Sequence, residues 1–185
     1  MRTFIAVKLP RFQRIDELMG LLRSSGSDLK LVEPENLHLT LVFIGELPQT
    51  ELESVIEAMG QLKFKRFKVR LRGMGAFPSM NRPRVIWVGV EDGKVELQAL
   101  RTRLMAELRR RHVRPEDEKE FSPHLTLARV KGPFNAQNLF KVLMDNLNVE
   151  VGEFEVSKVT LFRSDLRPSG PIYTEISEVR ALEPQ

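Results

Sequence analysis

The sequence predicts a protein of mixed helices and strands, built as two similar halves around one cleft. Three observations predict this fold. Apolar residues make up 42% of the 185 residues, which is enough for a substantial core. Helical and β-rich patterns follow the order strand, helix, strand, helix, strand, and this order occurs twice. The tetrad His-Leu-Thr-Leu begins the central strand of each half.

Four segments carry apolar residues at the spacing of one helix face, so we expect four amphipathic helices. Asn135 precedes the last of them and is a candidate N-cap. The four segments are Ile15–Leu22, Leu52–Met59, Leu97–Leu108 and Ala136–Leu147.

Seven runs rich in β-branched and aromatic residues lie between the helices and predict strands. They are Thr3–Val7, Leu39–Ile44, Phe67–Leu71, Val85–Val90, Leu125–Val130, Glu153–Phe162 and Tyr173–Val179. The division between the halves is expected near Asn81–Arg84. The chain would then be a single bilobal domain, 1–185, with an internal repeat of about 1–82 and 83–185.

The composition excludes several kinds of chemistry. The chain has no cysteine, which removes disulfides, thiolate nucleophiles, iron–sulfur clusters and cysteine-bound zinc. It has three histidines, which limits any imidazole chemistry to three participants. No apolar run resembles a signal peptide or a membrane span, so we expect a cytoplasmic protein without membrane association. The net charge of +4 favours a polyanionic partner only modestly.

The tetrads are the candidate site. Side chains alternate along a strand, so His38 and Thr40 share one face, and so do His124 and Thr126. If the halves pack about a pseudo-two-fold axis, two imidazoles and two hydroxyls converge on one cleft. A single such tetrad is ordinary half-buried strand. The duplication argues for function, because fold symmetry preserves apolar positions but gives no reason to keep a histidine.

This set of side chains suits a phosphodiester. One neutral imidazole can take a proton from the attacking oxygen, and one protonated imidazole can give a proton to the leaving oxygen. Threonine hydroxyls can donate to the phosphate oxygens, where negative charge develops. No Asp, Glu or Cys accompanies the histidine inside either tetrad, so we expect no metal and no cofactor.

The chain resembles the RNA 2',3'-cyclic phosphodiesterases, historically called 2'-5' RNA ligases, within the two-histidine phosphoesterase superfamily. The likeness covers essentially the whole chain. Four stretches carry it: Arg2-Thr-Phe-Ile-Ala-Val-Lys-Leu-Pro10, Pro34-Glu-Asn-Leu-His38-Leu-Thr40-Leu-Val-Phe-Ile-Gly45-Glu46, Arg84-Val-Ile-Trp87-Val-Gly-Val90 and Phe121-Ser-Pro123-His124-Leu-Thr126-Leu-Ala-Arg129.

The resemblance implies an α+β fold of two pseudo-symmetric halves, with antiparallel sheets facing a central cleft and helices on the outside. It implies metal-independent hydrolysis of RNA 2',3'-cyclic phosphate ends to 2'-phosphates, with 2'-5' RNA ligation as the related reaction. The implied partner is RNA with a 2',3'-cyclic phosphate end. No protein partner is evident.

The resemblance also implies roles for single residues. His38 would be the general acid and His124 the general base, while Thr40, Thr126 and Arg129 would bind the substrate. Arg129 lies five residues beyond His124, so a bulge or a strand end is needed to bring it to the cleft.

Other residues have weaker claims on the site. The third histidine, His112, lies in an arginine-rich run and is expected at a solvated helix end. The basic stretch Lys63–Arg72 is either a solvated outer face or a track for the RNA backbone. The aromatic residues could stack a base or belong to the core; Phe43 is expected in the core because it alternates in phase with Leu39. The candidates are Phe43, Phe77, Trp87 and Phe121.

Two other functions remain open at this point. The tetrads would serve equally well for a phosphodiesterase of small cyclic nucleotides, because they contact only the phosphate. A non-catalytic RNA-binding module would use the basic stretch, but it has no need of paired histidines.

Overall fold

The computed structural model describes residues 1–116 and 120–184, which contain four α-helices and nine strands. The helices are α1 (Gln13–Ser24), α2 (Leu52–Gly60), α3 (Lys94–Arg110) and α4 (Ala136–Asp145). The strands are β1 (Arg2–Lys8), β2 (Leu29–Leu31), β3 (His38–Glu46), β4 (Phe67–Pro78), β5 (Pro83–Asp92), β6 (His124–Val130), β7 (Glu150–Val156), β8 (Lys158–Arg167) and β9 (Gly170–Arg180).

All four helical patterns correspond to helices, and in α1 the buried face is the one that the spacing predicts. In α4 only Leu139 and Leu143 of the predicted face are buried; Phe140 is exposed, and Leu147 lies beyond the end of the helix.

The strand predictions need two corrections. The short strand β2 was not predicted, and the run Glu153–Phe162 is two strands, β7 and β8. Asn135 occupies the N-cap position of α4 as predicted, but its side chain makes no capping hydrogen bond: the residue is left-handed and its amide donates to the carbonyl of Gly26.

The strands form one antiparallel sheet in the order β7-β4-β5-β6-β3-β1-β8-β9, with β2 also paired to β6. We call β3, β1, β8 and β9 the β1 side, and β6, β5, β4 and β7 the β5 side. The two sides join at one pair of residues, Leu39 on β3 and Leu125 on β6. The α+β class with antiparallel strands is confirmed, but the halves share one sheet. The chain crosses from β7 to β8 within one residue, Ser157, so the sheet must curl.

Strands and helices from the first half of the sequence pack with elements from the second half. Strand β4 follows α2 in the sequence but pairs with β5 and β7, whereas β8 follows β7 and pairs with β1. Helix α1 likewise packs against β7, and α3 packs against β3. Each side therefore contains elements from before and after residue 82, and the proposed repeat of 1–82 and 83–185 remains a prediction.

The large core lies between the sheet and the helices. Leu39, Leu41, Leu125 and Leu127 are all buried in it, so the sheet face that carries the tetrad leucines is the helix-covered face. The opposite face, which we call the cleft face, carries the tetrad histidines and threonines. None of the helices in the described residues is long and apolar enough to cross a membrane.

Candidate active site

The two tetrads lie side by side where the two sides of the sheet meet. Because β3 and β6 are antiparallel and Leu39 pairs with Leu125, His38 lies across from Thr126 and Thr40 lies across from His124. The four polar side chains share the cleft face and are each partly exposed. The structure thus brings together the two imidazoles and two hydroxyls that the sequence singles out.

A β-bulge lies at the last residue of each tetrad. In β3, Ile5 pairs with Val42 and Ala6 pairs with Thr40, which leaves Leu41 unpaired. In β6, Leu127 is left unpaired in the same way. A bulge of this kind places two successive residues on one face, and the residue after each unpaired leucine is indeed also buried. The alternation of side chains is therefore reversed beyond both bulges.

The reversal contradicts the expected position of Phe43. It also provides the bulge that Arg129 needs in order to face the cleft. Phe43 turns to the cleft face, where it packs against Phe4 and Phe162, so its expected place in the main core is wrong. Arg129 turns to the cleft face by the bulge at Leu127, and it is exposed there. Phe43 and Arg129 occupy equivalent positions, each five residues beyond a tetrad histidine.

Both imidazoles are held in the same way. The Nδ1 atom of His38 lies 2.7 Å from the carbonyl oxygen of Asn36, and the Nδ1 atom of His124 lies 2.7 Å from that of Ser122. A carbonyl oxygen only accepts, so each Nδ1 carries the hydrogen. In the neutral imidazole this leaves Nε2 as the basic atom. The backbone therefore selects the same tautomer for both histidines.

His38 is the more enclosed imidazole. Its Nε2 lies 2.9 Å from the Thr40 hydroxyl, and its ring lies 4.8 Å from the ring of Phe4 and 5.5 Å from that of Tyr173. Burial lowers the pKa of His38 below its ordinary value of 6.5, against the opposing effect of the Asn36 carbonyl. The positive charge of His124 adds to this lowering. The neutral imidazole is thus favoured at His38 in the empty cleft.

His124 lies in a more open aromatic setting on the β5 side. The ring of Phe77 meets it edge-on at 5.0 Å, and Trp87 lies 6.5 Å away. Trp87 packs flat over Gly75, where a Cβ atom would stand 2.2 Å from the indole, so only glycine admits this position of the ring. Phe77 is 36% exposed and is the most accessible of the predicted stacking candidates that contact a histidine.

Two arginines border the cleft, Arg2 on β1 and Arg129 on β6. Arg2 stacks on the Phe43 ring at 4.8 Å. The charges of Arg2 and Arg129 both act on the hydroxyl of Tyr173. Burial raises the pKa of Tyr173, and the two arginines offset only part of this rise. Neither arginine has a carboxylate partner within residues 1–116 and 120–184. They supply positive charge where an anionic substrate would enter.

The basic stretch, by contrast, is largely neutralised. Lys68, Arg70 and Arg72 project from β4 between acidic residues of β7 and β5, and Arg66 immediately precedes the strand. The hydrogen bond from Arg70 lowers the pKa of Glu150, so that pair stays charged. A continuous RNA track along β4 is therefore disfavoured. The nearest ion pairs are Arg66–Glu155 at 3.2 Å, Lys68–Glu153 at 3.8 Å, Arg70–Glu150 at 2.6 Å and Arg72–Glu150 at 3.4 Å.

A pocket of about 350 Å³ opens beside His38. It lies between the short turn that precedes β3 and the hairpin that joins β8 to β9, and Lys8, Asn36 and Tyr173 line it. Asn36 also donates from its amide to the carbonyl of Pro171 at 3.0 Å, which ties the turn to the hairpin.

Tyr173 and Phe4 were not predicted from the sequence, although both contact the His38 ring. Two features of the sequence could have pointed to them: Tyr173 is the single tyrosine of the chain, and Phe4 lies in one of the stretches that resemble the family. Phe121, a stacking candidate, instead packs against the core and lies 5.1 Å from the guanidinium of Arg101. His112 lies in the left-handed turn that ends α3, as an exposed residue.

Among the described residues, no group of three or more histidine and acidic side chains is arranged to hold a metal ion. The titratable groups nearest the tetrads include the two histidines, Tyr173 and the bordering arginines. This set can transfer protons at Nε2 atoms and neutralise an anion.

A sequence model of the 2'-5' RNA ligase superfamily matches residues 9–168. Several relatives bear the name RNA 2',3'-cyclic phosphodiesterase. The one from Aeropyrum pernix is 43% identical over 168 residues, which are 91% of this chain and 95% of the relative. The one from Methanothermobacter thermautotrophicus is 38% identical over 183 residues, which are 97% and 98% of the two chains.

Solved structures share the fold over nearly the full length. The protein TT0787 of Thermus thermophilus has a TM-score of 0.76 and 33% identity, with 97% of each chain covered. The protein LigT of E. coli, complexed with 3'-AMP, has a TM-score of 0.75 with 98% of each chain covered. Its identity is 23%, so this second likeness concerns the fold alone.

Proposed function

The chain belongs to the 2'-5' RNA ligase superfamily, and we propose that it hydrolyses RNA 2',3'-cyclic phosphate ends to 2'-phosphomonoesters without a metal ion. The names of the relatives at 43% and 38% identity support cyclic phosphodiesterase activity. The His/His mechanism rests on the site of this chain.

The observation that carries the proposal is the matched pair of imidazoles. Both Nδ1 atoms are bound to backbone carbonyls at 2.7 Å, which leaves both Nε2 atoms for proton transfer. A threonine hydroxyl lies across the strand pair from each histidine. A phosphodiester between the two imidazoles would meet a base, an acid and two hydrogen-bond donors at once.

In the proposed reaction, water attacks the phosphorus and one Nε2 takes its proton. A new P–O bond forms, the bond from phosphorus to the ribose 3'-oxygen breaks, and the other Nε2 donates a proton to that oxygen. The product is a 2'-phosphate. A 5'-hydroxyl in place of water would give a 2'-5' linkage, so ligation uses the same groups, and its reversal exchanges the acid and the base.

The two histidines are assigned opposite roles. His38 is the acid and His124 the base, as the family resemblance implies. The lowered pKa of His38 in the empty cleft opposes its protonation. A bound phosphate anion next to Nε2 favours the protonated form and so acts against this lowering. Substrate binding would therefore charge His38 at the moment when an acid is needed.

The remaining residues would hold the phosphate. Thr126 and Thr40 donate hydroxyl hydrogen bonds to its non-bridging oxygens, and Thr40 releases His38 to do so. Arg129 faces the cleft beyond the bulge and adds positive charge. A phosphodiesterase of small cyclic nucleotides would use the same groups, and the choice between the two depends on the substrate.

The decisive experiment offers the protein an oligoribonucleotide with a 2',3'-cyclic phosphate end in the presence of EDTA. We expect a 2'-phosphate, identified by resistance to an enzyme that removes only 3'-phosphates. Nucleoside 2',3'- and 3',5'-cyclic phosphates are assayed in parallel. A 3'-phosphate product, loss of activity in EDTA, or preference for a 3',5'-cyclic nucleotide would contradict the proposal.

The enclosed position of His38 also predicts a dependence of stability on pH. Below pH 6.5 the unfolded chain binds a proton at His38 that the folded chain does not, so the free energy of unfolding falls as the pH falls. The slope from this residue is at most about 1.4 kcal/mol per pH unit. In urea unfolding at pH 7.5 and 5.5, His38→Gln should therefore lose less stability than the wild type.

The matched control is His112→Gln, because His112 is exposed at the end of α3. This variant should lose as much stability on acidification as the wild type. If all three proteins lost the same free energy of unfolding between pH 7.5 and 5.5, His38 would not be the source of the pH dependence.

A further inference from the structure

A second concave feature lies far from the tetrads, between the segment that precedes β4 and helix α3. The groove has a volume of about 470 Å³. Leu62 and Leu100 form its apolar floor, and Phe64 and Phe67 line it beside them. Its rim is formed by charged side chains of the segment and of α3.

The charge of the groove is positive. Four lining side chains are cationic and one, Glu96, is anionic. Two of the cations form ion pairs: Arg66 with Glu155 at 3.2 Å, and Arg103 with Glu107 at 3.5 Å. Lys63 and Lys65 have no carboxylate partner in the described part of the chain, unlike the cations of β4. This end of the basic stretch is therefore the part that remains available to an anion.

The aromatic side chains of the groove are held in place. Phe64 and Phe67 meet edge to face at 6.5 Å, and both are only partly buried. The backbone carbonyl of Phe64 accepts a hydrogen bond from the amide of Leu182 at 2.8 Å, which ties this segment to the chain just beyond β9. Aromatic rings beside unpaired cations are the combination that binds single strands, by base stacking and phosphate contact.

One strand connects the groove with the candidate active site. Strand β4 begins at Phe67, in the groove, and its Phe77 contacts the ring of His124. At about 3.3 Å per residue, these ten steps span roughly 33 Å along the strand. A dinucleotide bound at the tetrads is too short to reach the groove. Phe67 lies in phase with the buried Val69 and packs against the large core, so a longer RNA would pass from the cleft face around the end of the sheet to reach it.

We propose that this groove binds the single-stranded part of the RNA substrate, several nucleotides away from the cyclic phosphate end. The inference rests on the proposed function for its substrate class. Lys63 and Lys65 contact phosphates there, and Phe64 stacks a base. The groove then favours long RNA ends over short ones without taking part in the reaction.

The test compares Lys63→Gln/Lys65→Gln with the wild type on two cyclic phosphate substrates, a dinucleotide and a twelve-nucleotide RNA. For the long RNA, we expect kcat/KM to fall and the slope of log kcat/KM against log salt to weaken by about 1.4, since each phosphate contact on a single strand contributes about 0.7. The dinucleotide should be hydrolysed as by the wild type. The control is Lys68→Gln/Lys141→Gln, which removes two exposed lysines that are paired with Glu153 and Asp145.

Fluorescence anisotropy with a labelled twelve-nucleotide RNA ending in a 3'-hydroxyl separates this inference from the proposed function, because it needs no reaction. We expect weaker binding by the groove variant than by the control variant. Equal binding by the two, or an equal loss of kcat/KM on both substrates, would overturn the inference. Binding that follows the expectation without hydrolysis of either substrate would overturn the proposed function alone.

Discussion

His124→Ala and His38→Ala should each hydrolyse the cyclic phosphate about 10²–10⁴-fold more slowly than the wild type, because each loses one partner in proton transfer. Each imidazole is oriented by a backbone carbonyl at Nδ1, which leaves its Nε2 for proton transfer. The measurement is kcat/KM for a dinucleotide substrate in EDTA. The double variant should be little slower than the slower single variant, since acid and base act as a unit.

His112→Ala is the matched control and should retain full activity, because this histidine lies at the end of α3. His38 packs against Phe4 and Tyr173, so its variants also need an unfolding curve to show that the fold is kept. Folded His38→Ala and His124→Ala proteins with wild-type rates would end the His/His mechanism.

A sulfur substitution assigns the acid and the base. When the 3'-bridging oxygen of the cyclic phosphate is replaced by sulfur, the leaving group is a thiolate, whose conjugate acid has a pKa of about 8.5 and which needs no proton donor. The acid variant should then regain much of its lost rate, while the base variant should not. We expect the recovery in His38→Ala. Recovery in His124→Ala instead would reverse the two roles.

Thr126→Val should cost about 10²–10³ in kcat, because it removes a hydrogen-bond donor to the phosphate oxygens on which negative charge develops. Valine is β-branched like threonine and suits a strand, so the fold of β6 should persist. Thr126→Ser keeps the hydroxyl and should restore most of the rate. The readout is single-turnover hydrolysis, which separates the chemical step from binding.

Thr160→Val makes the same change on strand β8 and serves as the control. The Thr160 hydroxyl is buried and has no hydrogen-bond partner among the described residues, so its loss should leave both activity and stability nearly unchanged. If Thr126→Val were as active as Thr160→Val, Thr126 would be a structural strand residue. Thr40→Val removes in addition the contact at 2.9 Å to His38, so its effect includes a change at that imidazole.

Some features of the site follow from local properties of the chain. Side chains alternate along any strand, so the shared face of His38 and Thr40 is predictable from spacing. The existence of the four helices was predictable for the same reason, as was the burial of the tetrad leucines. Two copies of one polar motif sufficed to indicate a paired site.

Other features depend on a neighbouring strand. The bulges at Leu41 and Leu127 arise where β3 pairs with β1 and where β6 pairs with β5, and they reverse the faces of Phe43 and Arg129. A bulge is a mismatch between two strands, so it has no expression in one strand's own alternation. The split at Ser157 has the same origin, because β7 and β8 pair with different strands.

The sequence by itself therefore determined the two tetrads of the candidate site and the chemistry open to them, because backbone periodicity and residue type are local properties. Only the tertiary structure decided the neighbours of those residues. It placed Tyr173 against His38 from the far end of the chain, and it neutralised the basic residues of β4 with carboxylates from β5 and β7. Such contacts depend on strand order and register, which are set by packing between segments distant in sequence.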